Sequence, residues 1–322
     1  MSSPPILLIH YGDSPYLPYV IKVARRSNPG REIIFLGDQR NQHLTSLGVS
    51  HYHLDSLRDS PELRCFNRLY HRIVNPHYPK PEWAEFVLQR WYMINTFITE
   101  HDINQFWTFD SDNFILTDLT PLEEELAQYD CTSQCSGNCL NGFVSNKIIV
   151  QKYVQKMNDL LSDDDYVRSW QTQYVANPQL FYNEMEAFVV FVEQEGIHNF
   201  HLAQIRDGSM FDDSVTYDNG MELYNGTIKG RRVKKLYMHD GQIYCRHLAS
   251  DAFVRMNNLN LSWMPRYIFP LLFNYIVSLR SPRVFTELDL LRAPLSYHVK
   301  WFIRNQIPRP IRDHISRGAY WV

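Results

Sequence analysis

The chain has 322 residues, of which 44% are hydrophobic and 21% are charged, and its formal net charge is −3 at pH 7. This composition is typical of a folded protein with one large domain or two fused lobes, and the negative charge argues against a nucleic-acid-binding protein. The charge is uneven, because residues 261–322 contain nine Lys and Arg but only three Asp and Glu.

The first predicted elements alternate between strands and a helix. The apolar run PILLIHYG ends at Gly12 and predicts a buried strand. A helix is predicted next, from the spacing of Leu17, Val20, Ile21 and Ala24. Two further short runs, REIIFLGD and VSHYHL, predict strands. This order predicts βαβ units and a parallel sheet.

The clearest helix is predicted over residues 83–101, and a strand, QFWTF, follows it directly. The helix has an apolar stripe that consists of Trp83, Val87, Trp91, Ile94 and Ile98. Asp110 then stands at the carboxyl end of the strand. In an open parallel sheet this is the edge where ligands bind.

At that edge Asp110 and Asp112 place two carboxylates one residue apart. Like charges repel, and their unpaired burial is costly. A divalent cation removes both problems and can also hold diphosphate oxygens. Because alternate residues of an extended chain point to opposite faces, both carboxylates reach one ion only if the chain turns at Ser111. The motif therefore predicts a site for a divalent cation.

Two other patterns have simpler interpretations. Residues 163–165, DDD, also satisfy Asp-x-Asp, but they follow a helical pattern and predict a solvated turn or a helix cap. Cys131, Cys135 and Cys139 are spaced four apart, unlike the common zinc and iron–sulfur motifs, and predict thiols in a loop. The five cysteines are an odd number, which fits reduced thiols better than disulfides.

The segment EFVLQRWYMINTFITEHDINQFWTFDSDNFIL, from Glu85 to Leu116, resembles the glycosyltransferases of the GT-A fold. Members of that group carry a helix with an arginine, a strand, and an aspartate pair that holds Mn²⁺ or Mg²⁺ against a nucleotide-sugar diphosphate. The resemblance is good over residues 6–145 and thin afterwards. It implies an α/β, Rossmann-related fold with a mostly parallel central sheet flanked by helices, and it puts Arg90 at the arginine position.

The resemblance also implies which residues contact the donor, a UDP-sugar above all. The loop after the first strand would lie over the nucleobase, with Tyr11 stacked on it and His10 or Gly12 making backbone contacts. Asp38, at the end of the second strand, would recognise the base or ribose. A packing aromatic at Tyr11 and a turn-forming aspartate at Asp38 are the alternatives. Ser111, between the two aspartates, is counted with the substrate-binding residues.

The acceptor side is predicted from two segments. The run CSGNCLNGFVSN resembles the small-residue loop and strand of this group, where Gly142 would let the backbone approach a sugar. An inverting transferase needs a general base, and Glu184, followed by Met185, matches the family acid, with Glu186 as second choice. The alternative for both acids is a first helical turn, where the helix dipole favours them.

One departure from the family concerns a further metal ligand. Many relatives use a histidine near the carboxyl end, whereas MNNLNLSW offers Asn260 in that place. An amide oxygen can bind Mg²⁺ or Mn²⁺. The other candidate is His239, in a segment that also predicts a strand–turn–strand with Asp240-Gly241 at its tip.

The expected organisation is a nucleotide-sugar-binding half over residues 1–145, an acceptor-side half over 146–262 and a helical, basic and aromatic extension over 263–322. No secretory signal is recognised, and the apolar stretch 267–279 is shorter than the roughly 20 residues of a spanning helix. We therefore expect a cytoplasmic protein with a carbohydrate or lipid-linked acceptor. The extension either packs on the catalytic lobe or makes a peripheral membrane contact.

Two other functions are compatible with the pattern. A haloacid-dehalogenase-like phosphatase also places Asp-x-Asp after an apolar strand, but it usually has Thr or Val where this chain has Phe114, and it carries the motif on its first strand. A catalytically silent protein of the GT-A fold would bind a nucleotide without transfer, and the presence of Asn260 in place of histidine favours it.

Overall fold

The computed structural model describes residues 3–278 and 282–291. Its helices are α1 (Leu17–Ser27), α2 (Pro61–Leu69), α3 (Pro81–Glu100), α4 (Thr120–Leu126), α5 (Lys147–Ser162), α6 (Asp164–Ala176), α7 (Glu184–Glu195) and α8 (Ile268–Val277). Its strands are β1 (Ile6–Ile9), β2 (Ile33–Gly37), β3 (Ser50–His53), β4 (Phe106–Thr108), β5 (Asn113–Ile115), β6 (Cys131–Gln134), β7 (Cys139–Val144), β8 (Asn199–His201), β9 (Ser209–Met210), β10 (Leu223–Ile228), β11 (Arg231–Lys234), β12 (Tyr237–His239), β13 (Gln242–His247), β14 (Ala252–Met256), β15 (Asn258–Asn260) and β16 (Thr286–Glu287).

The central sheet has seven strands in the order β3-β2-β1-β4-β7-β6-β8. Strands β1 to β4 are parallel, β7 is antiparallel to both of its neighbours, and β8 is parallel to β6. The predicted α/β fold with a mostly parallel sheet is thus confirmed. Because β8 joins the same sheet as β1, residues on both sides of the predicted boundary at 145/146 build one sheet.

Both faces of this sheet are covered, which explains the continuous apolar run of β1. Ile6 and Leu8 pack with α1, α8 and the second sheet, whereas Leu7 and Ile9 pack with α3 and α5. Strands buried on two faces lose the alternation of polar and apolar residues. The remaining strands form a smaller sheet, β16-β12-β13-β14-β9, and the two-stranded ribbons β10-β11 and β15-β5.

Helix α3 differs from its prediction at one position. Val87, Trp91, Ile94 and Ile98 are buried as the stripe predicts, but Trp83 is 41% exposed. Trp83 lies in the first turn of α3, and its ring contacts two other aromatic rings, those of Phe181 and Trp263, instead of the core. The residue therefore belongs to a surface of the protein.

The predicted carboxyl-terminal extension is described only in part. Helix α8 lies near its start, and β16 pairs with β12. Most of the basic and aromatic tail lies outside the described residues. In the part of the chain that the structure describes, no helix has the length and apolar character needed to cross a membrane.

Candidate active site

The sheet topology brings the predicted site residues to one edge. Strands β2, β1 and β4 are adjacent and parallel, so their carboxyl ends point the same way. The residues that follow these ends are Asp38, His10 to Gly12, and Asp110. Two hydrogen bonds connect these loops: the Gly12 amide donates to Asp38 Oδ2 over 2.8 Å, and His10 Nδ1 lies 2.8 Å from Ser111 Oγ.

Arg90 connects the aspartate motif to helix α7. Its guanidinium donates to Asp110 Oδ1 over 2.5 Å and to Glu184 Oε1 over 2.8 Å. Burial opposes the charge on Arg90, but the two carboxylates outweigh it and hold the pKa of Arg90 well above its ordinary value. Burial raises the pKa of Glu184, and Arg90 opposes this shift. Arg90 therefore has two acidic partners, Asp110 and Glu184.

The chain turns between the two aspartates, as a shared ion requires. The Asn113 amide donates to the Asp110 carbonyl over 3.0 Å, and this turn directs Ser111 towards His10. Asp112 lies on the other side, where the hydroxyl of Ser262 is 3.3 Å from its Oδ1. Burial and the charge of Asp110 raise the pKa of Asp112 to about 7. Two negative charges side by side are thus disfavoured here at neutral pH.

The donor atoms fit a hard divalent cation that keeps water or substrate ligands. The carboxylates of Asp110 and Asp112 supply oxygen atoms, the ligands that Mg²⁺ and Mn²⁺ prefer. Among the described residues no group of three or more His, Cys, Asp or Glu side chains could hold a metal. Mg²⁺ in proteins commonly uses one or two carboxylates plus substrate phosphates, so a site of two carboxylates is sufficient for it.

The two additional ligands predicted from the sequence lie in different places. Asn260, on β15, pairs with Asn113 next to Asp112, but its side chain donates to the Asp213 carbonyl over 2.8 Å, and its Oδ1 is 2.6 Å from Ser262 Oγ. His239 lies on β12 in the second sheet and stacks on the ring of Phe285 at 4.5 Å between centroids. No contact among the described residues connects His239 to the aspartates. Their metal-binding roles stay predictions.

The donor-side residues form a partly open group. The ring of Tyr11 is 53% exposed and lies 5.6 Å from the ring of Phe86 and 5.1 Å from Cζ of Arg40. Hydrogen bonds from Arg40 lower the pKa of Asp38 to about 2. Burial lowers the pKa of His10 to about 4. An ionised carboxylate and a flat, exposed ring therefore stand at the ends of adjacent strands.

The residues predicted for the acceptor side differ in their surroundings. Gly142 is buried, and Thr132 and Leu202 fill the space beside it, so packing explains the glycine and its contact with a sugar stays a prediction. Glu184 is held by Arg90, whereas Glu186 is half-buried, and burial raises its pKa. The role of either acid as the base is untested.

The three regularly spaced cysteines occupy the β6–β7 hairpin. Cys131 and Cys139 are buried, Cys135 is half-buried, and all three are free thiols. A hydrogen bond with Cys135, burial and the charge of Asp110 all raise the pKa of Cys139. The hairpin therefore lies beside the aspartate motif, where the charge of Asp110 disfavours ionisation of Cys139.

Sequence reasoning missed the residues that support Asn260 and Asp112 from the second half of the chain. Asp212 and Lys234 form a completely buried ion pair with 2.5 Å between Oδ1 and Nζ. The other carboxylate oxygen of Asp212 accepts the Asn260 amide over 3.0 Å. Ser262 stands two residues after Asn260 and reaches Asp112. Only a long-range pairing of strands brings these groups together, so the local sequence carries no signal for them.

No family model and no curated protein matches the chain. Solved structures are similar at low scores. A cytidylyltransferase from Leptospira borgpetersenii has a TM-score of 0.35 and 10% identity, with 64% of this chain and 78% of that one covered. The glycosyltransferase GlyE of Streptococcus pneumoniae has 0.38 and 15%, with 68% and 49% covered. The galactosyltransferase LgtC, solved with donor and acceptor sugar analogs, has 0.38 and 13%, with 64% and 75% covered. At these scores the likeness does not extend to activity.

Proposed function

We propose that the chain is a glycosyltransferase that moves a sugar from a nucleotide-sugar donor, a UDP-sugar, to a hydroxyl of a carbohydrate or lipid-linked acceptor. The observation that carries the proposal is the position of Asp110 and Asp112 at the carboxyl edge of β4, on either side of a turn. Arg90 contacts the carboxylate of Asp110, and the hydroxyl of Ser262 contacts that of Asp112. An exposed ring and a carboxylate on the neighbouring strand ends supply a place for a nucleoside.

Each residue has a physical task in this reaction. Tyr11 offers its face to the nucleobase, and Asp38 accepts hydrogen bonds from the ribose. Asp110 and Asp112 would hold Mn²⁺ or Mg²⁺, which supplies charge compensation for the departing nucleoside diphosphate. Arg90 fixes the direction of the Asp110 carboxylate by a hydrogen bond to Oδ1, so that its other oxygen stays available. Glu184 binds Arg90 through the second arm of the guanidinium. Glu184 and Glu186 are the first and second candidates for the acceptor base.

The first test measures whether Asp112 is needed. In Asp112→Ala we expect hydrolysis of UDP-sugars in the presence of Mn²⁺ to fall at least about 100-fold, because one of the two anionic ligands is lost. The matched control is Asp165→Ala, since the exposed DDD segment also satisfies Asp-x-Asp and Asp163 caps α6. Circular dichroism verifies that both variants fold.

The outcomes separate this proposal from its rivals. Full activity of Asp112→Ala would contradict the mechanism. A phosphoenzyme trapped at Asp110 would favour a phosphatase, and a nucleotide-sugar that raises the melting temperature with Mn²⁺ but is never hydrolysed or transferred would favour a silent binding protein. A thermal-shift panel of nucleotide sugars, with Mn²⁺ and with EDTA, provides this second readout and identifies the donor.

A further inference from the structure

We propose that two tryptophans and two cations beside the aspartate motif form an acceptor subsite for a sugar ring that carries an anionic group. This tryptophan subsite consists of Trp83, Trp263, Lys80 and Arg231. The inference rests on the proposed transfer reaction, because an acceptor must be held next to the donor.

The subsite adjoins the aspartate motif from two directions. Trp263 directly follows Ser262, whose hydroxyl lies 3.3 Å from Asp112 Oδ1. Trp83 precedes Arg90 by seven residues on α3, which at 1.5 Å per residue is about 10 Å along the helix. This separation is on the scale of a short saccharide. A ring bound there would lie next to the carboxylate edge.

Both indoles are available to a ligand. Trp263 is 55% exposed and Trp83 is 41% exposed, and their rings form an edge-to-face pair with 6.2 Å between centroids. The face of an aromatic ring carries partial negative charge. It therefore attracts the polarised C–H groups on the face of a pyranose. Binding sites also concentrate aromatic side chains around a few polar groups.

The backbone at Trp263 is strained in a way that keeps the indole at this surface. Its φ angle is +69°, in the left-handed region that bulky residues rarely adopt. Such conformations persist only where the surrounding structure imposes them, and they concentrate at functional sites. Here the strained residue is also exposed, so the core gains little from its side chain.

The charge around the indoles selects the ligand. Lys80 Nζ lies 5.9 Å and Arg231 Cζ 5.4 Å from the ring centroid of Trp263. Within residues 3–278 and 282–291 neither cation forms an ion pair with a carboxylate, in contrast to Arg90. A carboxylate or phosphate on the sugar would supply the missing partner, and arginine binds both with paired hydrogen bonds. A neutral sugar would leave the two positive charges unpaired.

The test uses three probes with the same ring: methyl glucoside, methyl glucuronide and methyl glucoside 6-phosphate. Saturation-transfer NMR on the full chain is expected to show that at least one of the two anions binds about tenfold or more tightly than the neutral sugar. The comparison of methyl glucuronide with methyl glucoside 6-phosphate distinguishes a uronate ligand from a sugar phosphate. Arg231→Gln should reduce the affinity for the anions to that for methyl glucoside, whereas Arg168→Gln, an exposed cation on α6, should not.

A second variant tests the contribution of the Trp263 indole by itself. Glycine adopts the left-handed region without strain, so Trp263→Gly is expected to fold and to lose saturation transfer to the ring protons of the probes. Equal affinity for neutral and anionic probes, or no binding of any probe, would overturn the subsite. Binding to phosphatidylglycerol vesicles but to no saccharide would overturn it in favour of a membrane surface.

The two proposals fail in different ways. A wild-type protein that hydrolyses a UDP-sugar but binds none of the three probes contradicts the tryptophan subsite alone. A wild-type protein that hydrolyses no nucleotide sugar contradicts the transfer reaction, whatever the probes do.

Discussion

The arginine on α3 has the most demanding environment of the site residues. The side chain of Arg90 is 13% exposed and has two carboxylate partners, and its Nε has no hydrogen-bond partner among the described residues. Desolvation of a guanidinium is costly, and here two carboxylates offset that cost. The residue thus depends on Asp110 and Glu184, and they depend on it.

At this position Arg90→Met is expected to destabilise the protein by about 3–5 kcal/mol, because two partly or fully buried carboxylates lose their common counterion. The free energy of unfolding in urea measures the loss. The control is Arg168→Met, whose exposed ion pair with Asp165 contributes less than about 1 kcal/mol. Equal losses in the two variants would contradict a structural role for the buried arginine.

At the scale of elements, the β6–β7 pair shows why a glycine stands in a buried strand. The register of the pair shifts between Cys131 and Ser133. Thr132 fills the irregularity: its Oγ1 donates to the Asn141 carbonyl over 2.7 Å and accepts the Phe143 amide over 2.7 Å. Gly142, with φ +94°, leaves the room for this side chain.

We expect Gly142→Ala to lower the free energy of unfolding by roughly 2–5 kcal/mol, through backbone strain and overpacking together. Its Cβ would lie 2.3 Å from Leu202 Cδ1 and 2.4 Å from Thr132 Oγ1. Gly137 is the matched control, because it has φ +89° in the same hairpin but nothing within 4 Å of an added Cβ. Gly137→Ala should therefore lower the free energy of unfolding only by the cost of the left-handed backbone conformation, about 1–2 kcal/mol. Chemical denaturation compares the two, and a smaller loss for Gly142→Ala would refute the packing argument.

At the scale of the whole molecule, a buried ion pair attaches the β10–β11 ribbon to the strand beside the site. Lys234, on β11, pairs with Asp212 and also donates to Asn219 Oδ1 over 2.8 Å. Asp212 in turn accepts the amide of Asn260. Burial raises the pKa of Asp212 even though Lys234 lowers it. The pair therefore couples segments that are far apart in the sequence.

Lys234→Met is expected to cost about 3–5 kcal/mol at pH 7, because an uncompensated carboxylate stays buried. Without Lys234 the pKa of Asp212 rises further above its unfolded value, so the folded state binds the additional proton as the pH falls. The loss of unfolding free energy relative to the wild type should thus be smaller at pH 5 than at pH 7. Urea denaturation at both pH values measures the difference, and a difference independent of pH would show that the variant takes up no additional proton at Asp212 between pH 7 and pH 5.

The sequence was sufficient for the features that local patterns specify. The apolar run of β1, the helical spacing in α3 and the strand before Asp110 predicted the parallel sheet and the edge that carries the aspartates. The contact of Arg90 with Asp110 was also predictable, since a cation beside an apolar stripe needs an acidic partner. The helix cap predicted at residues 163–165 is confirmed, because Asp163 accepts two amides of α6.

Long-range pairing determines the parts that were missed. The stripe on α3 gave no indication that Trp83 would face another tryptophan instead of the core, because Trp263 lies 180 residues later in the chain. The buried Asp212–Lys234 pair has no periodic pattern, and the local sequence does not show that Thr132 and Leu202 pack beside Gly142. Each of these depends on where distant segments meet.

The antiparallel pairing of β15 with β5 has a consequence for biosynthesis. Ser262 reaches Asp112 across 150 residues of sequence. During translation the amino-terminal part of a chain is available for folding first, and contacts between distant segments form late. A nascent chain that has reached residue 250 thus contains every strand of the central sheet but lacks the hydroxyl beside its second aspartate. The contact of Ser262 with Asp112 therefore forms only after the strands of the central sheet have been synthesised.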